Sequence, residues 1–204
     1  MIDRNGSFCE YWPILFELGG ITFFPESRVL WGTLPKAAST SLKVVLGAAF
    51  GRMVTRKGSP DEYARILFDP DVFKWRRITS IRDPFSRTVS LFREFSADGE
   101  TFAEFCDSWD LRIARDAAFR RHSFPFSIFE MIAPEFRIVF EDLDQSVGEL
   151  LKAFGKEPIE IPHLRRSRGS SAAVYYNTFP ETADFVRETY AADFGRFYDA
   201  NAID

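Results

Sequence analysis

Residues 31–51 read WGTLPKAASTSLKVVLGAAFG, a stretch that begins as a strand and ends as a helix. RVLWGTL (28–34) is apolar enough to be a buried strand. Leu42, Val45, Leu46 and Ala49 then recur at helical spacing, and Gly51 can stop that helix. Ser39 or Thr40 is the expected N-cap. The turn between strand and helix holds Lys36 and a run of Ala, Ser and Thr. A helix start exposes N–H groups without helical partners and carries about half a positive charge. Small residues let an anion approach that backbone. Ser39, Thr40 and Ser41 add hydroxyl donors, and Lys36 adds a mobile cation, a set that suits a phosphate or sulfate. The loop is not a Walker A motif, because GxxxxGK[ST] is absent and the lysine precedes the loop. The plainer reading is a Ser- or Thr-capped helix beside an incidental lysine.

The same pattern returns downstream. RRITSI (76–81) reads as a second buried strand, and RDPFSRTVSLFREF (82–95) as a helix capped by Asp83, with Pro84 in its first turn. Phe85, Val89, Phe92 and Phe95 form its inward stripe. Arg82, at the strand's carboxyl end, and Ser90, two turns along the helix, can grip a second anion; Arg87 either assists or only covers the surface. A third donor-rich segment is IPHLRRSRGSS (161–171). Three anion-friendly elements imply a ligand with two separated anionic groups.

Elsewhere, residues 20–34 read as two short strands around the turn PES, and 51–75 as polar and irregular. Residues 101–133 look helical in pieces, broken near Pro125 and Pro134, and FRIVF (136–140) is a third strand. Leu143, Val147, Leu150, Leu151 and Phe154 mark an amphipathic helix, 156–172 an Arg- and Ser-rich loop, and Val186, Tyr190, Phe194 and Phe197 a final helix. Strands alternating with helices predict an α/β fold, a central parallel sheet flanked by helices, with ligands bound beyond the strands' carboxyl ends. One domain over 1–204 is expected: an N-terminal extension or hairpin (1–27) and a core (28–198).

Composition narrows the partners. The 204 residues carry a formal charge of −4, which argues against a generic nucleic-acid binder. Residues 181–204 hold six acids and two bases, so the first 180 residues balance, 24 bases against 24 acids. Arginines within that neutral part cluster at 76–93 and 163–168, as a small anionic ligand would require. The 23 phenylalanines suggest an aromatic-rich core. Cys9 and Cys106 form no CxxC or Cys/His metal spacing. Neither a signal peptide nor a membrane-spanning run is legible, so a soluble chain in a reducing, cytoplasmic setting is expected.

PKAASTSL resembles the 5′-phosphosulfate loop of sulfotransferases, and RDPFSRTVS matches every fixed position of their 3′-phosphate motif, RDPxxRxxS. VFEDL (139–143), IPHLRRS (161–167) and YAADFGRFY (190–198) resemble later family segments in the expected order. The likeness runs from about residue 28 to 198 and is closest to the carbohydrate O-sulfotransferase branch. It implies the family's P-loop-NTPase-like sulfotransferase fold. It also implies 3′-phosphoadenosine 5′-phosphosulfate (PAPS) as donor, 3′-phosphoadenosine 5′-phosphate (PAP) as product, and no metal. Lys36, Ala38, Ser39, Thr40 and Ser41 would then hold the 5′ end, Arg82 and Ser90 the 3′-phosphate, and Arg166 and Arg168 the nucleotide's cover. Ala37 stands where a Thr is common, which removes one donor. The acceptor would be a glycan or small molecule.

Sulfuryl transfer to a hydroxyl needs a base. The chain has two histidines, His163 in the covering loop and His122 in RRHSFPF, a segment that resembles a His-containing stretch of carbohydrate members. His122 ranks first. Next come Asp61, Glu62, Asp69 and Asp71, which lie between the two anion motifs, where the family often places its base. The rival readings are a kinase-like phosphotransferase and an inert nucleotide-binding module.

Overall fold

A computed structural model describes residues 20–162 and 171–202. The chain runs β1 (Ile21–Phe24), β2 (Val29–Gly32), α1 (Ser39–Phe50), β3 (Val54–Thr55), α2 (Pro60–Leu67) and β4 (Arg76–Ile81). It continues as α3 (Pro84–Phe95), α4 (Phe102–Asp107), α5 (Trp109–Arg115), α6 (Ala117–Ser123), β5 (Phe136–Val139) and α7 (Leu143–Ala153), and closes with α8 (Ala172–Thr178), α9 (Glu181–Thr189) and α10 (Ala191–Phe197). Two compact units divide it: residues 20–81 with 128–162, and residues 82–127 with 171–202.

The first unit holds an open five-stranded sheet in the order β3-β1-β2-β4-β5. β2, β4 and β5 run parallel, with Gly32 beside Thr79 and Ile81 beside Val139. The expectation of a parallel sheet holds for these three strands only, since β1 is antiparallel to both β2 and β3. The cause is local. The 3-10 turn Pro25–Ser27 joins β1 to β2, and Arg28 closes it at φ 50°. So short a connection can join only antiparallel strands. The fold is therefore α/β on a mixed sheet with helices around it.

Alternation along β2 sorts its side chains between two covered faces. Val29 and Trp31 join Leu42, Val45, Leu46 and Phe50 of α1 and Val147, Leu150 and Leu151 of α7 in one core. Gly32 lies close to Phe129, whose ring atom Cδ1 would stand 2.6 Å from an added Cβ, so no larger residue fits there. The stretch 51–75, expected to be irregular, contains β3, α2 and a 3-10 turn at Pro70–Lys74. SPDEYARIL carried the signal for α2: Pro60 at its start, acids in its first turn, and Tyr63, Ile66 and Leu67 buried.

The second unit is helical among its described residues and bears out the aromatic core. Phe85 and Val89 of α3 are buried with Phe102, Phe105, Trp109, Phe119, Tyr176, Tyr190 and Phe194, and Phe92 and Phe95 pack against them half-exposed. Edge-to-face ring contacts recur, Trp109–Phe119 at 4.8 Å and Phe85–Tyr176 at 5.0 Å among them. The final helix expected over 186–197 is broken at Tyr190 into α9 and α10. Cys106 lies in this core, where burial pushes its thiol up to about 12. It is a packing residue.

Candidate functional site

The carboxyl ends of β2 and β4 are laced by hydroxyls. Thr79 Oγ1 donates to the Gly32 carbonyl at 2.8 Å, and Thr33 Oγ1 lies 2.5 Å from Ser80 Oγ. Both threonines and the serine are buried, so the ends of two parallel neighbours form one fixed edge. The turn 33–38 leaves from this edge. Lys36 at φ 74° and Ala38 at φ 52° both adopt the left-handed conformation, which β-carbon residues seldom take.

Ala38 is the N-cap of α1, and its side chain makes no cap bond. Ser39 and Thr40 were the expected caps; they are instead the first helical residues. The reason is that Ala38 makes the reversal. Residues already helical cannot swing a hydroxyl back onto the amides of their own first turn. The first bond of the helix is Leu42 N to Ala38 O at 2.9 Å, so the amides of Ser39, Thr40 and Ser41 come before the ladder begins. Ser39 is half-buried, Thr40 exposed and Ser41 8% exposed.

α3 begins differently. Asp83 accepts the Ser86 amide at 2.7 Å, the predicted cap, and Pro84 occupies the first position. Burial raises the Asp83 carboxyl above its usual range, against weaker opposing effects from the Ser86 and Phe85 amides and from Arg82. Arg82 Nε donates to Ser86 Oγ at 3.2 Å. Ser90 lies one turn beyond Ser86 on α3 and is 9% exposed, and Arg82, which precedes the helix, reaches the line of these two serines through its bond to Ser86. Sequence reading named Arg82 and Ser90 and missed Ser86, although its spacing of four from each partner was the available signal.

Arg87 neither assists that line nor covers the surface. It is 0% exposed, and its Nη2 donates to the His122 carbonyl at 2.6 Å. His122 is half-buried at the end of α6, its ring edge-on to Phe95 at 5.1 Å. Its Nδ1 stands 2.7 Å from the Ala118 carbonyl. A neutral ring must place its N–H there, which leaves the basic lone pair on Nε2.

The alternative bases serve other ends. Glu62 holds Arg52 in a two-pronged pair at 2.7 and 2.8 Å, and that partner lowers its carboxyl. Asp71 bonds Lys74 at 2.6 Å and is lowered likewise. Asp69 caps the turn that Pro70 begins, accepting the Asp71 amide at 2.8 Å. Asp61 is exposed in the first turn of α2. A lowered carboxyl is a weaker base.

His163, Arg166 and Arg168 lie outside the described residues. Among the described residues, no group of three or more His, Cys, Asp or Glu side chains is arranged to hold a metal ion, and no helix is long and apolar enough to cross a membrane. A groove lined by Asp144, Leu151, Ile159 and Glu160 carries acids and no cation, which does not suit an anion. In comparisons with protein-family models, curated proteins and solved structures, nothing matches the chain.

Proposed function

We propose that this chain is a sulfotransferase of P-loop-like α/β architecture. It moves a sulfuryl group from PAPS to a hydroxyl, or an amine, of a glycan or small-molecule acceptor. The observation that carries the reading is the start of α1, which leads with backbone amides, receives no cap bond from its N-cap residue and stands beside Lys36 in sequence. Three successive amides and an ammonium are what the 5′-phosphosulfate needs, and the residues from Lys36 to Ser41 include no acid to oppose it. Ser39, Thr40 and Ser41 add hydroxyls at that end. Arg82 and Ser90 bind the 3′-phosphate, with Ser86 steadying the guanidinium through its 3.2 Å bond. Arg166 and Arg168 cover the nucleotide.

The acceptor oxygen bonds to sulfur as the sulfur's bond to the 5′-phosphate oxygen breaks. The hydroxyl proton passes to His122 Nε2, and PAP departs with the negative charge of the broken bond. Lys36 and the α1 amides meet that charge where it develops, and the protein otherwise positions the reactants. The scheme calls on no metal.

Thermal melting tests the reading. PAP without Mg²⁺ should raise the melting temperature, and mass spectrometry should find sulfate on a member of an acceptor panel. Protection by ATP with Mg²⁺ and none by PAP would mean a kinase-like enzyme. Protection by PAP with no transfer across the panel would mean an inert module.

A further inference from the structure

Arg87 is an expensive residue to bury. It is fully enclosed, and Nη2 makes its one side-chain hydrogen bond, while Nε and Nη1 are buried with no partner among the described residues. Its guanidinium lies 4.3 Å from the Phe126 ring centre and 5.4 Å from that of Tyr190. An apolar side chain would fill this space without leaving two donors unsatisfied, so the arginine is not explained by packing. What it alone supplies is a directed bond to the His122 carbonyl, a group at the end of α6.

Two more buried polar side chains act on the same short segment. Asp193, also 0% exposed, accepts the Phe126 amide at 2.9 Å and the Ser127 amide at 2.7 Å. Burial lowers the tendency of Arg87 to hold its charge, and the Asp193 charge opposes that effect in part without a direct bond between the two. Tyr190 donates its hydroxyl to the Ser123 carbonyl at 3.0 Å. Residues 122–127 include the irregular join Phe124–Pro125, yet they are tied at four backbone groups by α3, Tyr190 and α10. Such a tie fixes the last turn of α6, and with it the distance from the His122 ring to the Ala118 carbonyl, on which the tautomer depends.

We propose that Arg87 and Asp193 are positioning residues that lock the 122–127 segment, so that His122 holds its proton on Nδ1 and presents Nε2 as the basic nitrogen. This inference rests on the reading of His122 as the base. Its test reads the ring alone, without nucleotide or acceptor, so it fails separately from the PAP melting and transfer experiments.

With two histidines in the chain, ring ¹⁵N signals can be assigned by comparison with His163→Gln. At a pH where the rings are neutral, wild-type His122 should show a pyrrole-type Nδ1 and a pyridine-type Nε2. Arg87→Gln should average the two tautomers while far-ultraviolet circular dichroism stays native, and Arg87→Lys should restore the wild-type pattern. If Arg87→Gln does not fold, Asp193→Asn carries the comparison. It keeps one acceptor and loses the charge, and it should move the ring in the same direction. A folded Arg87→Gln or Asp193→Asn with the wild-type tautomer would overturn the proposal. So would a wild-type ring whose proton sits on Nε2, a result that needs no variant.

Discussion

α1 and α3 each follow a strand of the same parallel pair, and they begin in opposite ways. α1 starts from a left-handed Ala38, which makes no side-chain cap bond to the helix. α3 starts from Asp83, whose carboxylate takes the Ser86 amide, and from Pro84, which has no N–H to satisfy. The second helix start is closed by its N-cap residue, and the first is not. An anion at α1 meets fixed backbone dipoles, whereas one at α3 meets the side chains of Arg82, Ser86 and Ser90. Fixed dipoles suit charge that develops during a reaction, because nothing has to reorganise when it appears. Side-chain donors suit a charge that is present throughout and serves as a handle.

The sharpest way to break this contrast is to remove one cation from each end. Lys36→Ala should slow single-turnover transfer by about 10²–10³ while leaving the PAP isotherm little changed. Arg82→Ala should do the reverse, weakening PAP by about 1.5–3 kcal/mol, the usual worth of a charged hydrogen bond, with transfer at saturation largely kept. Equal losses in rate and affinity for both variants would show that the two helix starts do not divide the work.

What was legible in advance follows the same division. Asp83 and Pro84 form a local signal, since cap and first-turn residue are adjacent in sequence, and the structure places both as read. α1 was misread because its start depends on φ at Ala38, and an alanine carries no mark of a left-handed backbone. The antiparallel β1 was visible as half of a hairpin, but its effect on the whole sheet was not, because pairing partners are set by tertiary contacts. His122 was read as a residue type in a loosely familiar segment. The side chains that hold it, Arg87, Tyr190 and Asp193, lie 35, 68 and 71 positions away, beyond the reach of any local pattern.

A smaller effect is expected at the closed helix start. Asp83→Ala should cost about 1 kcal/mol through the lost cap, and Asp83→Asn should cost little, since asparagine caps as well as aspartate. The pH dependence has a definite sign. Burial raises the folded carboxyl above its unfolded value, so the folded state binds the proton more tightly. Stability is therefore fuller below the unfolded value and declines as pH rises towards the raised folded one. Asp83→Asn removes that decline. Melting curves across the mildly acidic range check it, and a wild-type stability that rises through this window relative to Asp83→Asn would contradict the assigned direction.

The smallest effect belongs to the open start, and its smallness is the point. Ser39 and Thr40 do not cap α1, so truncating them removes no cap bond. Alanine is also the better helix former, by up to about 0.7 kcal/mol per residue. Ser39→Ala and Thr40→Ala should therefore leave the melting temperature of the free protein unchanged or slightly higher, in contrast to the loss in Asp83→Ala. If their hydroxyls serve the ligand, the same two variants should show less thermal protection by PAP than wild type. A free-protein loss as large as that of Asp83→Ala would mean that α1 is capped by its own hydroxyls after all, and the two helix starts would then be alike. Unchanged stability together with unchanged protection would leave the backbone amides and Lys36 as the donors at that end, and would narrow the phosphosulfate contact to them.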